Sequence, residues 1–327
     1  MTVQITVLGL GQVGTSIGLA LAERKDLVLR VGNDRDPMVA RAANKLGAFD
    51  QLKVNLPSAV EKADLVILAM PVDEIRRTLE LIAQDLKPGA VVVDTSPLKI
   101  KVMEWAQELL PAERYFISMS PTLNPAVLED PSAGTEAARA DLFKNSLMVI
   151  AHLPGVDSDA LKLVADLAGL LGAAPFFADP WEADGLLAGS HLLPKLLAAA
   201  LTNAVVDQPG WSEGRKLAGR PFALATAQVL DLDESKSLGQ AALLNRENSL
   251  RVLDNLIGEL ELIRETLAAG DEAALSSRLE HARQSRSTWW GQRSAADWID
   301  RKDAQPLPTA GDMFGRMVGL GRKKTKN

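Results

Sequence analysis

The sequence predicts a doubly wound α/β domain followed by an all-α domain, and three observations carry that expectation. Short apolar runs alternate with helix-patterned segments through residues 1–178. A Gly-x-Gly-x-x-Gly turn stands at residues 9–14, directly after the first of those runs. From Trp181 onward the strand pattern disappears and only helical periodicity remains.

In order along the chain, QITVLGL, DLVLRVGND, ADLVILAMP, AVVVDTS and RYFISMS read as strands, rich in Val, Ile, Leu and aromatic residues. TSIGLALAERK, DPMVARAANKLG, VDEIRRTLELIAQDL and LKIKVMEWAQELL separate them with helical spacing. Strands that are apolar almost throughout imply a parallel sheet covered on both faces, joined by right-handed crossovers. NSLMVIAH and APFFAD, on either side of the helical DALKLVADLAGLLG, add a further pair of strands. This first domain is expected to span residues 1–178.

A helical domain is expected over residues 179–303. Its patterns are EADGLLAGSHLLPKLLAAALTNAVVD, FALATAQVLDL, SKSLGQAALLNRENSLRVLDNLIGELELIRETLAA and DEAALSSRLEHARQSRSTWWGQRSAADWID. The third reads as one long helix with a broad apolar face, which a small domain cannot cover alone, so pairing with a second copy is expected. Pro194 falls inside the first and is expected to kink it. Residues 304–327, with Arg316, Arg322, Lys323, Lys324 and Lys326, read as a flexible basic tail.

Composition narrows the function classes. Of 327 residues 47% are hydrophobic and 24% charged, the balance of a globular protein with a sizeable core. The absence of cysteine excludes disulfides, thiolate metal sites and cysteine nucleophiles. A net charge of −6 argues against nucleic acid as the main partner. No run of about 18 unbroken apolar residues appears and the N-terminus enters a strand directly, so no membrane association and a cytoplasmic location are expected. The three histidines lie far apart without acidic neighbours at ligand spacing, so no metal is expected.

The glycine turn points to a dinucleotide. Gly9 permits the tight turn, Gly11 lets the backbone approach a pyrophosphate, and Gly14 lets helix and strand pack closely. Leu10, Gln12 and Val13 fill the intervening positions, and the following helix start offers N–H groups to phosphate. The next strand ends at Asn33-Asp34, and Asp34, 20 residues beyond Gly14, is placed to bind the adenosine ribose hydroxyls. A carboxylate there favours NAD over NADP; Arg35 leaves NADP open, as a guanidinium for a 2′-phosphate. Two more strand-end loops are expected on the same crevice: AMPVDE, with Met70 and Pro71, and VDTSPLK, with Ser96 and Lys99.

Over roughly residues 1–260 the sequence resembles the prephenate dehydrogenase family, of the wider 6-phosphogluconate dehydrogenase-like superfamily. The likeness is carried by GLGQVGTSIGLAL, NDRDP, LAMPVDEI, VVVDTSPLK, EAARADLFKNS, SHLLPKLLAAAL and LLNRENSLRVLDNL. It implies a Rossmann domain followed by a helical dimerisation domain. It also implies oxidative decarboxylation of prephenate or arogenate with NAD(P), on the way to tyrosine, and a small carboxylate substrate. The family's strand-end His-Pro is Ser120-Pro121 here, and its His-Asp is Ala183-Asp184. Its SHLPH becomes Ser190-His191-Leu192-Leu193-Pro194, and PFALATA has Ala223 and Ala227 where substrate-holding arginines belong. Arg215, Lys216, Arg220 and Lys195 are the nearby cations that could replace them.

The catalytic candidates are therefore His191, Ser120, Ser96 and Lys195. His191 matches the family motif, while Lys195 is suggested by related β-hydroxyacid dehydrogenases that use a helix lysine as acid/base. His152 and His281 read as surface residues, and Trp289 and Trp290 as packing. Two alternatives to a prephenate-type enzyme stay open: a superfamily dehydrogenase acting on another small hydroxy acid, and a nucleotide-binding regulatory protein without chemistry.

Overall fold

A computed structural model describes residues 2–130, 132–229, 232–296 and 315–316. The expected tail at 304–327 therefore lies outside the described residues, apart from Gly315 and Arg316. The chain divides into two compact units, Met1–Ala183 with Asp303–Asn327, and Asp184–Lys302.

The first unit is built on eight strands: β1 Val3–Leu8, β2 Val28–Asn33, β3 Gln51–Leu52, β4 Leu65–Leu68, β5 Val91–Asp94, β6 Tyr115–Pro121, β7 Ser146–Ala151 and β8 Ala173–Phe177. Their order in the sheet is β3-β2-β1-β4-β5-β6-β7-β8. The first six follow the 3-2-1-4-5-6 order of a dinucleotide-binding fold, with the direction of winding reversing between β1 and β4. All pairs are parallel except β6 with β7.

Every residue of β4 and β5 is buried, as are Ile5, Val7, Val28, Val31, Ile117 and Met119 on their neighbours. Covering such side chains contributes roughly 1.5–3 kcal/mol each, which is why these runs show no alternation of apolar and polar residues. Two elements escape the sequence reading, β3 and the helix Leu56–Val60. Each is too short for a periodicity to show. Asn55 caps that helix by accepting from the Ser58 N–H at 3.1 Å.

One charged residue is built into the core. Arg30 in β2 is buried and donates from Nη1 to the carbonyls of Gly18 (2.9 Å) and Ala48 (2.9 Å). Its Nε and Nη2 bind the two carboxylate oxygens of Asp50 at 3.1 and 2.7 Å. The guanidinium holds Asp50 below the usual carboxylate range.

The second unit is helical. It opens within the helix Pro180–Leu187, whose first turn belongs to the first unit, and continues through a π-helical turn at Ala188–Leu192 into Leu193–Val206. Pro194 has no N–H to give to the carbonyl four residues back, and the widened turn just before it absorbs that loss. Short helices follow at Trp211–Leu217 and Arg220–Thr226. The long helix expected from SKSLGQ to ETLAA is in fact two, Leu232–Leu244 and Arg246–Ala269. The break falls at Asn245, whose buried side-chain amide donates to the Asp184 carbonyl at 3.0 Å. A tertiary hydrogen bond overrides a continuous helical pattern there. Glu272–Ala295 completes the unit among the described residues.

Along Arg246–Ala269 the side chains of Leu250, Ile257, Leu260, Leu262 and Leu267 are exposed. Among the described residues Pro180–Val206 is also long and apolar enough, by length and composition alone, to cross a membrane; 17% of its most apolar window is buried. It carries Lys195 and the π turn within that span.

Candidate functional site

The crevice of a doubly wound sheet lies beyond the carboxyl ends of its parallel strands, where the winding reverses. The glycine turn occupies that place, leaving β1 for the helix Gln12–Ala20. Gly9 has φ +91°, and a Cβ there would stand 2.4 Å from the Ala69 carbonyl oxygen, so the turn is pressed against the β4 exit loop carrying Met70 and Pro71. A Cβ on Gly14 would stand 1.9 Å from the Gly9 carbonyl oxygen. A Cβ on Gly11 would meet nothing within 4 Å. Gly9 and Gly14 are thus required by the protein's own packing, whereas Gly11 faces space left for something else.

The Leu10 peptide between them is held from both ends. Its N–H donates to Asp34 Oδ2 at 2.7 Å, and its carbonyl accepts from the hydroxyls of Thr15 and Thr135, each at 2.7 Å. Asp34 also accepts the Asp36 N–H at 2.8 Å, so its carboxylate is oriented before any ligand arrives. No side chain caps the helix that begins at Gln12. Its leading N–H groups are the kind a pyrophosphate satisfies. Gln12 reaches the Ala137 carbonyl at 3.4 Å, and Val13 packs on the core. These residues fit a dinucleotide.

Two residues expected to touch the cofactor are engaged elsewhere. Asn33 donates to the carbonyls of Lys53 (2.7 Å) and Val54 (3.2 Å), which fastens the segment after β3. Arg35 pairs with Glu74 at 2.5 Å, at the start of the helix Val72–Ile82. An arginine held by a carboxylate is a poor cradle for a 2′-phosphate.

The strand-end loops after β5 and β6 meet in a buried polar cluster. Asp94 Oδ2 accepts the Ser96 N–H at 2.9 Å and lies 2.5 Å from Ser96 Oγ; Asp94 Oδ1 accepts the Ser118 hydroxyl at 2.5 Å. Ser96 Oγ also lies 3.0 Å from the Leu98 carbonyl, so this hydroxyl is turned into the protein. Ser120, almost wholly buried, donates to the Ser96 carbonyl at 2.6 Å. Lys99, fully buried, donates to the same carbonyl at 2.6 Å and to Ser118 Oγ at 2.9 Å. Beyond Ser120 the loop is structural: the Thr122 hydroxyl and Leu147 exchange two bonds beside the backbone bond from the Thr122 N–H to the Leu147 carbonyl, and Asn124 caps a short turn by accepting the Ala126 N–H.

In the second unit His191 is exposed on the π-helical turn Ala188–Leu192, and Lys195 is half-buried one turn later. π turns are frequent at functional positions because they re-aim the side chains they carry. Ala183 and Asp184 are buried, whereas Ala223 is exposed. Of the nearby cations, Lys216 pairs with Glu213 at 2.7 Å and Arg215 donates to the Ser212 carbonyl at 3.2 Å. A cavity of ≈ 250 Å³ bordered by Met103, Leu110, Arg114, Tyr115 and Val156 lies at the opposite end of β6 from Ser120. It is not part of the nucleotide crevice.

The family described as the prephenate dehydrogenase nucleotide-binding domain matches residues 17–175, a stretch of the first unit that begins just after the glycine turn. Prephenate dehydrogenase of Bacillus subtilis is 28% identical over 266 residues, covering 80% of this chain and 69% of that protein. Cyclohexadienyl dehydrogenase of Zymomonas mobilis is 27% identical over 285 residues, covering 86% of this chain and 93% of that protein. The chain is similar in sequence to prephenate dehydrogenases. Among solved structures, the Aquifex aeolicus prephenate dehydrogenase, in complex with hydroxyphenyl propionate and NAD+, has a TM-score of 0.77. It is 20% identical and is covered over 98% of its length by 88% of this chain. Synechocystis arogenate dehydrogenase has a TM-score of 0.67 at 22% identity, with 88% of this chain covering 99% of that one. Both place this chain in the fold of prephenate dehydrogenases.

The geometry adds residues to the sequence reading. Thr15 and Thr135 hold the glycine turn, and Asp94 and Ser118 join Lys99, expected on the crevice but fully buried, beneath Ser96 and Ser120. Thr15 follows the turn directly and could have been noticed there. Thr135 stands 125 residues from Leu10 and carries no local signal.

Proposed function

We propose that this protein is an NAD-dependent dehydrogenase of the prephenate dehydrogenase family, and that it oxidises and decarboxylates prephenate or arogenate. The observation that carries the cofactor is the Leu10 peptide: Asp34, Thr15 and Thr135 hold it in the shape a pyrophosphate requires, and Gly11 leaves the approach open. Gly11, Gln12, Val13 and Gly14 would hold the phosphates and Asp34 the adenosine ribose. The bound nicotinamide supplies a hydride acceptor. NAD is preferred over NADP because Asp34 presents a negative charge and Arg35 is paired with Glu74.

In the overall reaction the substrate's carbinol C–H leaves as hydride, the ring carboxylate leaves as CO2, and its bonding pair completes the aromatic ring. The hydroxyl hydrogen gains positive character as the hydride departs, so the protein must offer it an acceptor. Ser120 is suited to that role. Its own hydrogen is given to the Ser96 carbonyl, and only oxygen lone pairs remain for a ligand. Because the net reaction releases no proton from this hydroxyl, a serine acceptor meets the demand without acting as a strong base. His191 and Lys195 remain the candidate residues of the second unit, on the family motif and on the π turn that carries His191.

The alanines at 223 and 227 favour a second reading, another hydroxy acid with fewer carboxylates to hold. One assay separates the two. The purified full chain is mixed with prephenate, arogenate or a panel of 3-hydroxy acids, with NAD or NADP, and reduced nicotinamide is followed. Turnover of prephenate or arogenate, faster with NAD, is expected, and Ser120→Ala and His191→Ala are expected to lower kcat about tenfold to a thousandfold. Turnover confined to another hydroxy acid supports the second reading. Cofactor binding with no turnover of any substrate rejects both.

The exposed leucines of Arg246–Ala269 and the sparsely buried Pro180–Val206 support a homodimer through the helical unit. Light scattering is expected to give twice the 35.1 kDa chain mass. Leu260→Glu is expected to shift that mass toward the single chain, and a monomeric parent protein would reject the dimer.

A further inference from the structure

The fully buried Lys99 is left without a role by the reading above. Taking an ammonium and a carboxylate out of water costs several kcal/mol for each ion, and such pairs are often replaceable by apolar residues with no loss of stability. Folding alone therefore does not account for Lys99 and Asp94 standing buried together at the ends of neighbouring strands. Their hydrogen bonds offer a different account.

The Ser96 carbonyl oxygen has two lone pairs and two donors at 2.6 Å, Lys99 Nζ and Ser120 Oγ. Ser118 accepts from Lys99 and donates its only hydrogen to Asp94. Asp94 in turn takes the Ser96 N–H and so restrains, from its other side, the residue whose carbonyl receives Ser120. An ammonium can only donate and a carboxylate can only accept, so the two charges set a direction for every hydroxyl between them. Ser120 donates to the carbonyl that Lys99 also holds, and since that oxygen can only accept, its hydrogen points inward and its lone pairs are left for a ligand. Remove the cation, and Ser118 loses its donor while the Ser96 peptide loses one of its two restraints. A carbonyl no longer held by the ammonium can turn away from Ser120, whose hydroxyl is then free to rotate and offer a hydrogen where the reaction needs an acceptor.

We propose that Lys99 is a positioning residue that, through the Ser96 carbonyl and the Ser118–Asp94 pair, holds Ser120 as the hydrogen-bond acceptor for the substrate hydroxyl. This inference rests on the dehydrogenase reading given above. Lys99 does not touch substrate; it acts through Ser120, and that makes the two residues non-additive.

The test is a double-mutant cycle in the full chain, with prephenate and saturating NAD. Lys99→Met is expected to lower kcat at least about tenfold, with the KM for prephenate and the Kd for NAD within about twofold of the parent. In a Ser120→Ala background the same substitution is expected to change kcat less than about twofold, since nothing is left to orient. An equal loss in both backgrounds, or an unchanged kcat, overturns the inference while leaving the dehydrogenase reading intact. Should Lys99→Met not fold, the Asp94→Asn/Lys99→Met pair removes both buried charges together and is measured in the same two backgrounds under the same criteria. A parent protein that turns over neither prephenate nor arogenate removes the dehydrogenase reading and this inference together.

Discussion

Gly11→Ala is expected to abolish useful NAD binding in a protein that still folds, and Gly14→Ala to lose both. A methyl group at Gly11 meets no protein atom within 4 Å, so thermal unfolding should shift by no more than the roughly 1 kcal/mol typical of an uncrowded surface change. The methyl would instead stand where the pyrophosphate passes over the backbone, and the Kd for NAD should rise at least about a hundredfold, or roughly 2.7 kcal/mol. At Gly14 the added carbon would lie 1.9 Å from the Gly9 carbonyl oxygen, inside any van der Waals contact. The helix would have to move off the strand, with a loss of stability well above the ordinary range for point changes. Calorimetry of both variants with NAD separates the two glycines. NAD binding by Gly11→Ala equal to that of the parent would show that the phosphates do not lie over this turn.

Arg30→Met is expected to cost much of the stability of the first unit while leaving the glycine turn itself unaltered. It removes the guanidinium that satisfies the Gly18 and Ala48 carbonyls and leaves Asp50 without its counter-charge. Breaking one side of a buried pair costs about 3–5 kcal/mol. For a unit of this size that corresponds to a fall of about 10 °C in Tm. Gly18 lies on the helix that leaves the glycine turn, so NAD binding should weaken as well, indirectly. The pair also has a predictable pH dependence. Arg30 depresses the Asp50 pKa in the folded state, so its contribution is full above the unfolded carboxylate value of about 3.9. It is lost as pH falls from there through the lower folded value. The gap between thermal melts of the parent and Arg30→Met should therefore narrow from neutral pH down to the acid range, leaving the part due to the Gly18 and Ala48 carbonyls. A constant gap across that range would assign the effect to packing alone.

Much of the first unit was legible in the sequence because its strands are buried on both faces. β4 and β5 admit almost nothing but Val, Ile and Leu, and a run of that composition between helical patterns folds as a strand shielded on both sides. The glycine turn was legible for a related reason: at Gly9 and Gly14 the backbone leaves no room for a Cβ, so the requirement is written in the residue type. Asp34 followed from its spacing, and it does meet the turn, through the Leu10 N–H. Asn33 and Ser96 show the limit of such reasoning. Both stand at strand ends facing the crevice, yet the Asn33 amide is given to the Lys53 and Val54 carbonyls and the Ser96 hydroxyl to Asp94 and Leu98. Position on a strand is local, while the direction of a hydroxyl or amide depends on which partner the rest of the fold brings.

The helical unit divides the same way. Its helices were legible from their periodicity, but the interruption at Asn245 was not, because helix propensity is summed along the chain and the bond to the Asp184 carbonyl is not. By itself the sequence determined the fold class and the glycine turn that Asp34 meets, since each rests on residue types that local geometry demands. Only the tertiary structure decided that Thr135 pins the glycine turn, that Arg35 is taken by Glu74, and that the buried Lys99 and Ser120 share the Ser96 carbonyl. Those are hydrogen bonds and ion pairs between distant segments, and their energy depends on distance and direction that no spacing along the chain encodes.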